Sequence, residues 1–277
     1  MALRRYRNGV TSDPLLALVE LPGVANAADE ARAAVDELLW NRAARRKSTA
    51  LSAEAAVVGA WCNASFEGAE ILLDSLRSGA VEDSPMGRIA MRTLAMYSEL
   101  PASADLLGAA PLQALARMHS VAAVGQVPES ELGRPRSVDE VEDSLRLGPL
   151  VPAAQLSPRL QGLSQLLISS KQTPAIILAG VVHGELAMLR PFSAGSGTVA
   201  RASTRLVLRA RGVDPDGWSF PEAGLRTLGR NKYRNALTSY ATGEPDGVAE
   251  WLITHSRTVA VGARAAVEEI DHLPDDS

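Results

Sequence analysis

Apolar positions along this 277-residue chain recur at three- and four-residue spacing, the period of a helix that buries one face. The first such run is ADEARAAVDELLWNRAARR, residues 28–46, with acids early and arginines late, as a helix dipole favours. Residues 1–27 ahead of it read as irregular, punctuated by Pro14, Pro22 and Gly23. A second helix is predicted from Ser52 through AEAAVVGAW. A short break follows at CNASFEG, and AEILLDSLRSG forms another helix ending at Gly79. Residues 85–124 read as two further helices, separated at Pro101 and at 109–111. Residues 125–152 lose the helical period and are rich in Pro, Gly and charge. They predict a long loop, with a short β-hairpin near Arg136 to Val138. Loops this long inside a compact domain are usually functional or disordered. From Ser157 the period returns in SPRLQGLSQLLISS, PAIILAGVVHGELAML, TVARASTRLVLRARG, PEAGLRTLGRNKYRNALTSY and GVAEWLITHSRTVAVGARAAVEEI. The tail LPDDS is acidic and is expected to fray. The pattern predicts an all-α fold with one long loop in its middle.

Composition supports this class. Aromatics make up only 4% of the chain, so the 46% apolar residues are mostly Ala, Leu and Val, which favours close helix packing. The formal charge of -4 gives no basic excess, and nucleic acid is not expected as a partner. A single cysteine, Cys62, excludes an intramolecular disulfide and argues against a cysteine zinc site. The histidines His119, His183, His255 and His272 have no metal-ligand spacing and read as core or solvated residues. The start, MALRRYRNGV, is charged with no apolar run behind it, so no secretory leader is expected. The most apolar stretch, Pro174 to Leu189, is shorter than the roughly 20 residues a membrane span needs. It reads as a buried core helix, and the protein as cytoplasmic.

One stretch carries candidate chemistry: LRPFSAGSGTVARA, residues 189–202. Gly195-Ser196-Gly197 stands at a predicted helix start. First-turn amides of a helix lack internal partners and carry partial positive charge, and glycines let a phosphate approach them. Arg201 lies one turn further on and can reach back to an anion, and Arg190 stands ahead of the loop. The same spacing also suits a tight helix–helix turn with glycines at positive φ and Arg201 in a surface ion pair.

The surroundings resemble the Fic (Fido) family, whose signature is His-Pro-Phe-x-Asp/Glu-Gly-Asn-Gly-Arg-x-x-Arg between two core helices. Pro191, Phe192, Gly195, Gly197 and Arg201 fall in step with it, as does His183 upstream. LARMHSVAAVG at 115–125 and LGRPR at 132–136 resemble the family's Leu-His helix and flap entry, and NKYRNALTSYATGEPDGVAEWL at 231–252 resembles its closing segment. NASFEG at 63–68 resembles the inhibitory Ser/Thr-x-x-x-Glu-Gly/Asn motif. The resemblance implies a Fic-like helical bundle. It divides the chain into an N-terminal extension (1–49), a helical region with the inhibitory-like motif (50–108), a core (109–260) and a tail (261–277). It also implies a phosphate site of Arg190, Gly195, Ser196, Gly197, Thr198 and Arg201. Asn63, Glu67 and Gly68 form the inhibitory-like motif, with Asn63 capping its helix and Glu67 paired to Arg201. Gly133, Arg134 and Arg136 form a flap that holds a protein target by strand-like pairing. His119 and His183 take structural roles.

The chain departs from the signature where chemistry is done. In the family, the motif histidine takes the proton of a target hydroxyl that attacks the α-phosphate of ATP, transferring AMP. Here that position is Arg190, whose guanidinium has no lone pair to accept a proton. The metal carboxylate is Ala194, so Mg²⁺ is not supported, and no metal or catalytic residue is assigned. Asn is replaced by Ser196 and the first Arg by Thr198. Losing a general base removes about 10²–10⁴-fold in rate. Three functions stay open. One is binding of a nucleotide, another phosphate compound or a partner protein without AMP transfer. Another is a transferase of AMP or another phosphate-containing group that uses non-standard residues. The third is a helical interaction module with no ligand. No GxGxxG follows a strand, so a dinucleotide cofactor is not indicated.

Overall fold

The computed structural model describes residues 13–276. The expected irregular start and the decapeptide MALRRYRNGV therefore lie wholly or partly outside the described residues. Thirteen α-helices follow in order, with no strand among the described residues. They are α1 (Val24–Trp40), α2 (Arg42–Arg46), α3 (Ser48–Ser65), α4 (Leu73–Ser78), α5 (Pro85–Ser98), α6 (Leu100–Leu107) and α7 (Pro111–Ala122). After the long loop come α8 (Leu156–Ser169), α9 (Ala175–Leu189), α10 (Ser196–Ala210), α11 (Pro221–Leu228), α12 (Arg230–Ala241) and α13 (Pro245–Glu269).

At the centre stands α9, the helix that sequence placed in the core. It is apolar all round and buried along nearly its whole length. Helix α10 returns along it, joined by the loop 190–195, and α13 packs on its other side. Gly180 and Gly184 let α13 and α12 approach. A Cβ on Gly184 would lie 2.8 Å from Trp251 Nε1, and Trp251 Nε1 donates to Gly180 O at 2.8 Å. Helix α1 buries Val24, Ala28, Ala31, Val35 and Leu38 against α13, a stripe at helical spacing. Among the described residues no helix is long and apolar enough to cross a membrane.

Several local expectations are corrected. Helix α3 continues through Asn63 and ends at Ser65, so the break falls later than predicted. Pro101 does not merely interrupt a helix. It opens α6, as Pro111 opens α7, because a first-turn proline lacks only an N–H that would be unpaired anyway. Residues 85–122 thus form three helices. No hairpin forms near Arg136 to Val138, and the sole β-bridge described is the isolated pair Val124–Val127. The loop's amides are spent elsewhere: Arg136 N–H donates to Pro191 O at 2.8 Å and Glu142 N–H to Ser193 O at 2.9 Å. The tail docks instead of fraying. The Asp276 carboxylate accepts from the amides of Thr49 and Ala50 and the hydroxyl of Ser48, at the start of α3.

Candidate functional site: the loop between α9 and α10

Helix α9 stops at Leu189 because Arg190 turns left-handed, at φ 44° and ψ 63°. A left-handed arginine is strained by about 1–3 kcal/mol and persists only when its surroundings fix it. The side chain supplies that constraint. Its Nη1 meets Asp143 Oδ2 at 2.6 Å and Gly148 O at 3.0 Å, and its Nη2 donates to Pro149 O at 2.6 Å. Asp143 also accepts from the amides of Leu145, Arg146 and Leu147. The Arg190 charge, expected in the phosphate site, is thus buried against the long loop.

Beyond it the loop is held from inside. The Ser196 hydroxyl donates to Phe192 O and accepts from Phe192 N–H, so it closes the turn and is buried. Gly195 has φ 72°, the left-handed geometry expected of a tight turn. His119 of α7 stacks flat on Phe192, with ring centroids 3.8 Å apart. Its Nδ1 accepts from Gly133 N–H at 2.9 Å, so the proton sits on Nε2, which donates to Ala194 O at 3.1 Å. Burial pushes its pKa down to about 4. Both nitrogens are engaged, and His119 ties the start of the long loop to the motif loop.

Of the other flap residues, Arg134 is exposed, while Arg136 is buried. Arg136 donates to the carbonyls of Arg190, Val138 and Val151. Its guanidinium is a brace for the loop and does not face a docked segment.

Arg201 is 1% exposed on α10. Its Nη2 is hydrogen-bonded and ion-paired to Glu67 Oε1, and its Nε donates to Asn63 Oδ1 at 2.7 Å. The pair is half-buried, with the guanidinium covered and the Glu67 side chain 22% exposed, unlike the surface pair that a plain helix turn would allow. Phe66 lies under the guanidinium at 5.1 Å. Burial works against the Arg201 charge, and Glu67 with the nearby phenols Tyr233 and Tyr97 more than restores it. The Glu67 carboxylate also stands before the α10 N-terminus: a Cβ on Gly197 would lie 2.9 Å from Glu67 Oε1 and 3.1 Å from Arg201 Nη1. Asn63 is not an N-cap. It sits in the last turn of α3, fully buried, and its Nδ2 donates to Thr198 O and to the Tyr97 hydroxyl. Gly68, at φ 83°, turns the chain at the end of α3, and a Cβ there would meet open space.

A shallow, open groove runs beside Glu67, lined by Phe66, Gly68, Glu70, Ser144, Arg226 and Arg230, and Arg201 and Gly197 lie outside its lining. Arg230 donates to Phe66 O and to Ser144 O, and Arg226 stacks on Trp61 at 3.9 Å. The loop thus brings Gly197, Arg201, Asn63 and Glu67 together and leaves Arg190 outside. No three His, Cys, Asp or Glu among the described residues are grouped to hold a metal ion. His183 is a core histidine, bonded to Tyr233 OH at 2.7 Å and to Thr204. Sequence reasoning missed Asp143, Tyr97 and Glu222. Only Glu222, an acid opening an otherwise apolar helix face, carried any local signal.

No family model matches the sequence, and no curated protein matches it. Solved structures do. A Fic family protein from Desulfovibrio desulfuricans superposes with a TM-score of 0.70 at 20% identity, over 92% of this chain and 77% of that one. Fic-1 (aa134–508) from C. elegans gives 0.64 at 19% identity, over 92% and 74%. A Fic domain containing signaling protein from Bacteroides thetaiotaomicron gives 0.66 at 11% identity, over 90% and 100%. The chain has the all-α Fic fold.

Proposed function

We propose that this protein binds a nucleotide or another phosphate-containing ligand at the Arg201 seat now held by Glu67 and does not carry out ordinary AMP transfer. The observation that carries the reading is the Glu67–Arg201 pair at the start of α10. A desolvated guanidinium there already holds a carboxylate and faces the first turn of a helix. A phosphoryl group offers that cation the same oxygen chemistry as Glu67 does. Glu67 is therefore a latch that an incoming anion must displace. The missing chemistry argues against transfer. Arg190 accepts no proton, His119 has both nitrogens occupied, and the Ala194 side chain has no carboxylate to offer Mg²⁺. The charge balance and the lone cysteine favour a cytoplasmic setting.

The test is calorimetric titration with ATP, ADP, AMP and GTP, with and without Mg²⁺. Glu67→Gly is expected to bind a nucleotide at least about tenfold more tightly than the unaltered protein. Arg201→Ala is expected to bind none, and Mg²⁺ to make no difference. If no form binds any nucleotide, the loop is a relic of the fold and the protein is a helical interaction module.

A further inference from the structure

Behind the latch runs a chain of buried polar groups that the loop chemistry does not use. Arg201 Nε meets Asn63 Oδ1 at 2.7 Å, Asn63 Nδ2 meets Tyr97 OH at 3.0 Å, and Tyr97 OH meets Glu222 Oε1 at 2.6 Å. Its direction is fixed by chemistry. Arg201 Nε can only donate, so the facing Asn63 atom is the oxygen. Thr198 O, 3.0 Å from Asn63 Nδ2, can only accept, so that atom is the amide nitrogen. The Asn63 N–H then points at the Tyr97 oxygen, and the Tyr97 proton goes to Glu222. Every donor points the same way, from the guanidinium to a carboxylate that has no solvent exposure.

We propose that Tyr97 and Glu222 are positioning residues for Arg201, holding its guanidinium in place when Glu67 swings away. The proposal rests on the reading of the loop as an anion site and adds how that site stays formed. With Glu67 gone, Arg201 would keep Asn63, itself anchored by Thr198 O and by the phenol–carboxylate pair. The vacated seat is then a preformed cation rather than a collapsed one. Glu222 is suited to the far end. Burial raises its pKa, while the Arg205 guanidinium and the Tyr97 hydroxyl stabilise its charged form. Arg205 in turn donates to Ala55 O and Gly217 O, which fixes that counter-charge in the core. Gly59 leaves the room: a Cβ there would lie 2.7 Å from Arg205 Nη1 and 3.3 Å from Glu222 Oε2.

The experiment reads Arg201 directly, by NMR of arginine side-chain Nε–Hε groups in the full chain, assigned through Arg201→Lys. Four proteins are compared: Glu67→Gly alone, and Glu67→Gly combined with Tyr97→Phe, with Glu222→Gln, or with Tyr240→Phe. Tyr240→Phe is the control, because it deletes another buried hydroxyl bonded to a glutamate, Glu185, without touching Arg201. The Arg201 Hε should exchange slowly in Glu67→Gly and at least about tenfold faster once Tyr97→Phe is added, with no change from Tyr240→Phe. ATP affinity of Glu67→Gly should fall about tenfold with Tyr97→Phe. Unchanged Hε exchange in Glu67→Gly/Tyr97→Phe, or equal acceleration by Tyr240→Phe, overturns the proposal. The NMR result stands whether or not ATP binds, so loss of the anion-site reading and loss of the relay are told apart. If Glu222→Gln does not fold, Tyr97→Phe alone decides.

Discussion

Arg190 and Asp143 form a half-buried ion pair 2.6 Å long, with side chains 4% and 18% exposed. It joins the end of α9 to the long loop. Arg190, the residue that ends α9, is therefore part of the loop's anchorage. Losing a charged hydrogen-bond partner here costs about 1–3 kcal/mol, less than in a fully buried pair, because Asp143 is partly exposed and keeps three amide donors. Arg190→Ala should lower stability by that order in urea unfolding. Amide exchange should accelerate first at 143–149, where three amides depend on Asp143. Protection there equal to that of the unaltered protein would show that the pair does not anchor the loop.

Gly197 and Glu67 compete for one space. Gly197→Ala adds a Cβ that would lie 2.9 Å from Glu67 Oε1. Overpacking of this kind costs about 1–3 kcal/mol, against a small intrinsic gain for alanine in a helix. The cost should shrink when Gly197→Ala is made in Glu67→Gly, giving a clear interaction energy in a double-mutant cycle. Additive costs would mean that Glu67 moves aside freely.

His119→Phe should keep the stack on Phe192 and lose both ring hydrogen bonds. Gly133 N–H and Ala194 O would then lack their present partner, at about 1–3 kcal/mol for each group left unsatisfied. Faster exchange of the Gly133 amide, with helix content unchanged by circular dichroism, is the expected signature.

Stability should fall in mild acid. Burial pushes His255 down to about 3 and His119 down to about 4, and lowers His183 well below its ordinary value. Next to His183 stand His255, with Thr204 between them, and the Arg201 cation. Each ring is neutral in the fold but binds a proton near pH 6.5 once unfolded. Below that pH the unfolded chain takes up more protons than the folded one. The stability these histidines leave intact is complete above pH 6.5 and lost progressively toward pH 4 and below. Urea midpoints measured at fixed ionic strength from about pH 7.5 to about pH 4 should decline throughout. A flat profile would mean that these rings are not held neutral.

Much of this protein was legible in its residues. Apolar spacing marked most helices and the loop between α7 and α8, because the period of buried positions follows directly from helix geometry. The glycine loop, the departures at Arg190 and Ala194, and the Glu67–Arg201 pairing came from the resemblance to one signature. What a one-dimensional pattern could not give was the partner that each buried polar group finds. Arg190 was expected among the phosphate ligands and lies instead on Asp143. Asn63 was expected to cap a helix and instead bridges Arg201 to Tyr97. Periodicity reports that a side chain is covered, and residue type reports what it can donate or accept. Which donor meets which acceptor depends on α3, α5, α10 and α11 closing around one another. Desolvation then makes each polar group take whatever partner that packing brings within reach.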